Sequence, residues 1–234
     1  IAMCLKHPGQ KHRWVPLIIS PEGVGKGLML RMISKMMGAK YVNENVSFAD
    51  ITEKHSTMVV GHLFLALNEV SVDGGQYTTK RTISAKIKPF ISDDFLNINE
   101  KGKPICNAMI FSNDENCLHI DTSSRRYYVC NVKVSTNEIE KWSKNDVFKK
   151  LWFIAENFAE ELMYHFLYNV QIEDESVYSK RAPKTLDLLE MIEDSKHDLL
   201  QELDDALENK TAPFDDLFFR GFISLNQLIY FVRT

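Results

Sequence analysis

The chain has 234 residues, enough for one large domain or one domain with a small appendage. Its 44% hydrophobic and 26% charged residues match an ordinary globular protein and exclude a fibrous or disordered chain. A net charge of -4 excludes a whole-chain basic footprint, so any nucleic-acid contact has to come from a local patch. The first apolar run, Val15-Pro16-Leu17-Ile18-Ile19, predicts a strand. It leads into Ser20-Pro21-Glu22-Gly23-Val24-Gly25-Lys26-Gly27. Leu28, Met29, Met32, Ile33, Met36 and Met37 then recur at helical spacing. Strand, glycine-rich turn, lysine and helix are the layout of a phosphate-binding loop. Glycines let backbone N–H groups turn inward, the helix N-terminus adds partial positive charge, and the lysine reaches the β- and γ-phosphates. Nucleotide contacts are therefore expected at Gly23, Val24, Gly25, Lys26, Gly27 and Leu28. The full pattern is G-x-x-x-x-G-K-[ST]. Ser20 stands at the first glycine, and Gly27 replaces the hydroxyl residue that normally helps hold Mg²⁺.

Beyond this helix, Tyr41-Val42 predicts a short strand, and Ser47 a cap for a short helix from Phe48 towards Lys54. Residues 62–70 read as a buried strand with Asn68 and Glu69 at its C-terminal end. Gly74-Gly75 breaks the chain, and residues 77–91 have helical spacing through Ile83, Ile87, Phe90 and Ile91, with Pro89 in the last turn. Residues 95–99 predict a strand, 100–104 a tight turn, and 105–111 the returning strand, which ends in Ser112-Asn113. Residues 126–134 predict a further strand and 137–170 an aromatic-rich helical region, whose stripe reads as core. A polar linker, 171–182, precedes a long amphipathic acidic helix over 185–209 and a short module with a helix over 225–232. This alternation predicts an α/β, three-layer domain with a mostly parallel central sheet. It occupies residues 1–135, followed by a helical region and linker over 136–182 and a C-terminal module over 183–234.

Cys4, Cys106, Cys117 and Cys130 show no C-x-x-C pairing and read as buried free thiols of a reducing compartment. Cys117-Leu118-His119 has no second pair at zinc-ligand spacing. No signal peptide and no apolar stretch of membrane-spanning length occur, so no membrane partner is expected. The chain begins with Ile1 rather than Met and reads as a piece of a longer polypeptide.

Phosphate-loop motors also need an acid at the end of a neighbouring strand, a polar sensor beside it and an arginine for the transferring phosphate. Glu69 fits the water-activating base, while Asn68 stands where a metal-directing Asp is usual, so this pair is the candidate Mg²⁺ position. Asn113 ends the next long apolar strand and fits the sensor, and Arg125 or Arg126 fits an arginine finger. Between Gly74 and Pro104, Lys80, Arg81, Lys86, Lys88, Lys101 and Lys103 face only Asp93, Asp94 and Glu100, a local excess of +3. Lys101 at the turn tip suits sequence-independent contact with a nucleic-acid backbone, with Lys103 and Lys88 nearby in sequence.

The ordered set Gly-Val-Gly-Lys, Asn-Glu, Ile-Lys-Pro-Phe-Ile-Ser…Ile-Asn-Glu-Lys-Gly, Phe-Ser-Asn and Arg-Arg resembles a superfamily 3 helicase. It is most similar to the type fused to primase-polymerases in phages, plasmids and large DNA viruses such as poxviruses. The motif resemblance covers residues 15–134. It implies a modified AAA+ fold and a hexameric ring with ATP and Mg²⁺ between subunits. It also implies single-stranded DNA in the channel, an upstream primase-polymerase in the same chain, and a site of action in the cytoplasm or host cytoplasm. Lys26 is then the phosphate lysine, Glu69 the strand-end acid, Asn113 the sensor, Lys101 the channel-facing hairpin residue, and Arg125 or Arg126 the finger acting in trans. The segment from Pro213 to Thr234 resembles the start of a winged-helix-like module. Two further readings stay open: a non-catalytic ring or DNA-clamping module, motivated by Gly27 and Asn68, and a phosphate-loop ATPase acting on protein or RNA.

Overall fold

A computed structural model describes residues 1–8, 10–47, 61–68, 77–92, 95–96, 103–104, 107–172, 181–209 and 224. Its strands are β1 (Val15–Ile19), β2 (Val42–Val46), β3 (Phe64–Leu67), β4 (Phe95–Leu96), β5 (Lys103–Pro104), β6 (Asn107–Ser112) and β7 (Tyr127–Asn131). Its helices are α1 (Ala2–Lys6), α2 (Lys26–Met37), α3 (Tyr77–Ser92), α4 (Thr136–Lys144), α5 (Val147–Asn157), α6 (Ala159–Tyr164) and α7 (Leu186–Asn209). Five strands form one parallel sheet in the order β2-β3-β6-β1-β7. The predicted α/β architecture with a parallel sheet is present.

Side-chain alternation explains why this sheet carries helices on both faces. Along β3, Phe64 and Ala66 turn to one core, where Leu30, Ile33 and Met36 of α2 pack. Leu65 and Leu67 turn to the other core, where Ile87, Phe90 and Ile91 of α3 and Leu188, Met191 and Ile192 of α7 pack. A strand buried on both faces reads as a continuous apolar run, which is the pattern of residues 64–67. The last turn of α3 is formed despite Pro89. Ile87, Phe90 and Ile91 are almost fully buried, worth about 1.5–3 kcal/mol each. Together that exceeds the roughly 3 kcal/mol cost of an interior proline.

The hairpin departs from the expectation. The strand that returns against Phe95 and Leu96 is Lys103–Pro104, antiparallel, and not residues 105–111. Asn107–Ser112 instead enters the central sheet parallel to both β1 and β3. Its two apolar faces need a layer on each side, which a projecting ribbon cannot supply. The last sheet strand is also shorter than residues 126–134, ending at Asn131. The aromatic-rich region is not one helix. Ser135 caps α4 through a reciprocal box with Glu138. Asp146, in the left-handed region at φ 54°, separates α4 from α5, and a π turn over His165–Asn169 follows α6. The proposed helix after Ser47, the hairpin tip and residues 225–232 lie outside the described residues.

Candidate functional site

The site forms where β1 ends and α2 begins. Gly23 (φ 78°) and Gly25 (φ 101°) adopt left-handed backbone conformations that a side chain would strain. Gly25 is the N-cap of α2, and the first turn of that helix carries no acidic residue. Its partial positive end is thus not neutralised by a carboxylate of its own, which favours an anion there.

Lys26 draws the surrounding pieces together. Its Nζ donates to the Ser20 carbonyl at 3.0 Å, to Ser20 Oγ at 3.1 Å and to the Pro21 carbonyl at 3.3 Å. It also donates to Asn113 Oδ1, across 87 residues of sequence. Asn113 is presented by a tight turn at the end of β6, where Ser112 Oγ accepts from Asp114 N at 3.0 Å. Lys26, Gly27, Leu30, Asn45, Ser47, Asn68, Phe111, Ser112 and Asn113 line a cleft of about 600 Å³. Asn68 is anchored there by donation from Nδ2 to the Glu44 carbonyl at 2.7 Å, which leaves its carboxamide oxygen as the end able to meet a hydrated cation. A Cβ built on Gly27 meets nothing within 4 Å, so the glycine is not required by packing.

The strand order places β6, and with it Asn113, directly beside β1. The Asn68 strand is one place further out, and not the immediate neighbour of the loop strand as expected. Glu69 and Lys101 lie outside the described residues, and Lys103 is described in its backbone alone. Lys88 Nζ pairs with Asp121 Oδ2 at 3.4 Å. Asp121 is held below the usual carboxylate range by the Ser123 hydroxyl and then by Lys88. Lys80, counted above with the basic segment, is instead buried, on the α3 face that also carries Ser84 and Ile87. It lies beside Cys117, whose thiol burial pushes up to about 12.

Arg125 and Arg126 lie at the opposite end of the sheet. Val15 pairs with Tyr127 and Ile19 with Asn131, so the arginines precede the loop end by the whole length of β7. At about 3.3 Å per residue that is roughly 17 Å, beyond the reach of an arginine side chain within the same protomer. Arg126 Nε donates to Ser92 Oγ, whereas the Arg125 side chain is exposed.

Several site residues were not anticipated. Asn45 and Ser47 join the cleft from the end of β2. Ile139 of α4 and Phe148 of α5 pack on the outer side of the loop, each 3.5 Å from the position of a Cβ on Gly23 and Gly25 respectively. Glu156 of α5 receives Arg31 at 2.8 Å and Lys35 at 2.6 Å, which ties this cover to α2. The Ser135-x-x-Glu138 spacing is a sequence signal for the start of α4. No such signal identifies Ile139 or Phe148, because their partners are distant in sequence.

The sequence model of a protein family of unknown function, DUF5906, matches residues 18–126, from the loop strand to the double arginine. A DNA primase-polymerase of Nitratiruptor phage NrS-1 is 27% identical over 152 residues, which is 62% of this chain and 21% of the phage protein. The apo structure of the NrS-1 C-terminal region (305–718) superposes with a TM-score of 0.64 at 22% identity, over 89% of this chain and 52% of that one. The A form of that region gives 0.61 at 19% identity, over 98% and 54%. The chain thus spans about half the length of these solved chains and a fifth of the phage protein. Among the described residues no helix is long and apolar enough to cross a membrane. The chain is similar in sequence to a phage DNA primase-polymerase, and its fold is that of the C-terminal region of the same protein.

Proposed function

We propose that this chain is the ATP-driven motor part of a viral or plasmid replication protein, a superfamily 3 DNA helicase with a modified AAA+ fold. The observation that carries this reading is that Lys26, at the end of a loop with two left-handed glycines, bonds both Ser20 and Asn113 and lines one cleft with Asn113 and Asn68. Similarity to a phage DNA primase-polymerase supports a replication setting and an upstream primase-polymerase in the complete protein.

In this reading the N–H groups of Gly23–Lys26 cradle the β-phosphate, and Lys26 leaves Asn113 and the loop carbonyls to reach the γ-phosphate. Glu69 accepts a proton from water as its oxygen attacks the γ-phosphorus and the bond to the bridging oxygen breaks, leaving ADP. Asn113 orients that water. Mg²⁺ would be held near Asn68 and Glu69, mostly through water and phosphate oxygens, and would supply charge neutralisation on the β- and γ-oxygens. Arg125, exposed and far from its own loop, completes the site of the next subunit in a hexameric ring. The segment between β4 and β5, which carries Lys101 in sequence, contacts single-stranded DNA.

A trans-acting arginine supplies on the order of 10³–10⁵ in rate. Specific activity should therefore fall steeply on dilution to monomer. Mixing Lys26→Ala and Arg125→Ala chains, each inactive alone, should restore partial turnover. Constant specific activity on dilution contradicts the shared site. The second reading, a non-catalytic DNA clamp, is favoured by the missing hydroxyl at Gly27 and the amide at Asn68. It predicts DNA binding without phosphate release.

A further inference from the structure

We propose that the outer face of α5 and α6 is the docking surface for a second copy of this chain, which presents its α7 head to tail. The inference rests on the ring of subunits proposed above and names the surfaces that join its members. The aromatic stripe expected in the core stands largely on the surface: Trp152, Phe153, Phe158, Tyr164 and Tyr168 are 43–68% exposed. Trp152, Phe153 and Ile154 point outward in succession, while Phe148 and the buried Ala155 face the protein. A helix apolar on nearly every side is one that an assembly buries. The rings pair, Phe153 with Phe158 at 5.9 Å and Tyr164 with Tyr168 at 4.5 Å between centroids. At about 150–250 Å² per ring, the five leave roughly 400–700 Å² in solvent. A standard interface buries about 800 Å² per partner, just over half of it apolar, so this face alone meets the apolar requirement.

The complementary face lies on the other side of the sheet. Glu156, Leu162 and Met163 seat α5 and α6 on the α2 side, whereas Leu188, Met191 and Ile192 seat α7 on the α3 side. Leu186, Leu189 and Leu200 of α7 are exposed. With Glu193 and Lys196, an ion pair at 2.7 Å, they follow the 3-4-3-4 spacing of a helix-packing seam. Charge selects the pairing. Together α2 and α5 carry five cations against one carboxylate, and α7 carries nine carboxylates against one lysine. Like faces repel, while α5 and α7 attract. Two unlike faces on opposite sides of one molecule make a heterologous contact, which generates a ring when its rotation closes. Phe148 of α5 packs on the phosphate loop, and Ala182 N, at the approach to α7, donates to the Arg125 carbonyl at 2.7 Å. The contact therefore joins the loop side of one copy to the Arg125 side of the next.

The test is sedimentation of the complete protein without nucleotide or DNA, so its outcome is independent of ATP turnover. Phe153→Glu breaks one face, and Leu186→Glu with Leu189→Glu breaks the other. All three side chains are exposed, so both variants should keep the wild-type melting temperature. Wild type should sediment as a closed oligomer and each variant alone as a monomer. An equimolar mixture of the two variants retains one intact contact, so it should form a dimer and nothing larger. A monomeric wild type, or a mixture no heavier than its parts, overturns the proposal. Assembly that survives in one variant alone means that like faces pair, and survival in both means that the contact lies elsewhere; either result overturns it too. An assembled wild type that releases no phosphate counts against the motor and leaves this contact standing.

Discussion

Gly27→Ser is the most revealing single substitution, because it returns the hydroxyl that the loop lacks. Gly27 is the second residue of α2 and has no left-handed φ, and a Cβ there meets nothing within 4 Å. The change therefore carries no steric cost. Serine is a better helix former than glycine by about 0.5 kcal/mol. For a domain of this size that raises the melting temperature by about 1–2 °C. Gly27 lines the same cleft as Lys26 and Asn68, so the substitution adds a hydroxyl at its wall. A contact to a charged centre is worth about 1.5–3 kcal/mol. ATP affinity in Mg²⁺ should therefore tighten about 10- to 150-fold, with little change in EDTA. Calorimetric titration of ATP against both proteins, with and without Mg²⁺, reads the difference directly. The reasoning fails if Gly27→Ser lowers the melting temperature, or if its affinity equals wild type in Mg²⁺ while Lys26→Ala still abolishes binding.

Gly25→Ala puts a Cβ on a residue at φ 101°, 3.5 Å from Phe148 Cε1. It should destabilise the chain by about 1–2 kcal/mol in denaturant melts and weaken nucleotide binding. Ser135→Ala removes the capping box of α4 and should cost about 1 kcal/mol by the same assay, loosening the cover that Ile139 places on the loop. Folding raises the Cys117 thiol from an ordinary 9.0 to about 12 through burial. The folded state thus holds that proton more tightly than the unfolded one. This contribution is complete below about pH 9 and is lost as pH climbs towards 12, by about 1.4 kcal/mol per unit. Urea melts from pH 8 to 11 should show that decline, and Cys117→Ser should flatten it. At pH 8, mass-mapped alkylation of the native protein should spare Cys117.

The parts legible in the sequence were those where backbone geometry or two-sided burial constrains residue type. Gly23 and Gly25 could be read as loop residues because their φ values exclude most others. Leu65 and Leu67 read as a buried strand because both faces of β3 are covered. Asn113 could be placed because polar residues abruptly end an apolar run. The hairpin return is not legible in the sequence, because a continuous apolar run does not say whether it pairs antiparallel with its predecessor or parallel within the sheet. Charge alone assigns Lys80 to the surface, whereas its spacing to Ile83, Ser84, Ile87 and Ile91 sets it on the buried stripe of α3. The placement of Phe148 against Gly25 depends on tertiary packing and left no local trace.

Phosphate release with ATP and Mg²⁺, with and without single-stranded DNA, separates the motor from the clamp. Wild type, Lys26→Ala and Glu69→Gln should be run together, in this chain and in a longer protein carrying the primase-polymerase. A motor shows DNA-stimulated release in the wild type that is lost in both variants. Release absent from the longer wild-type protein, with DNA binding retained, would contradict the motor and favour the clamp.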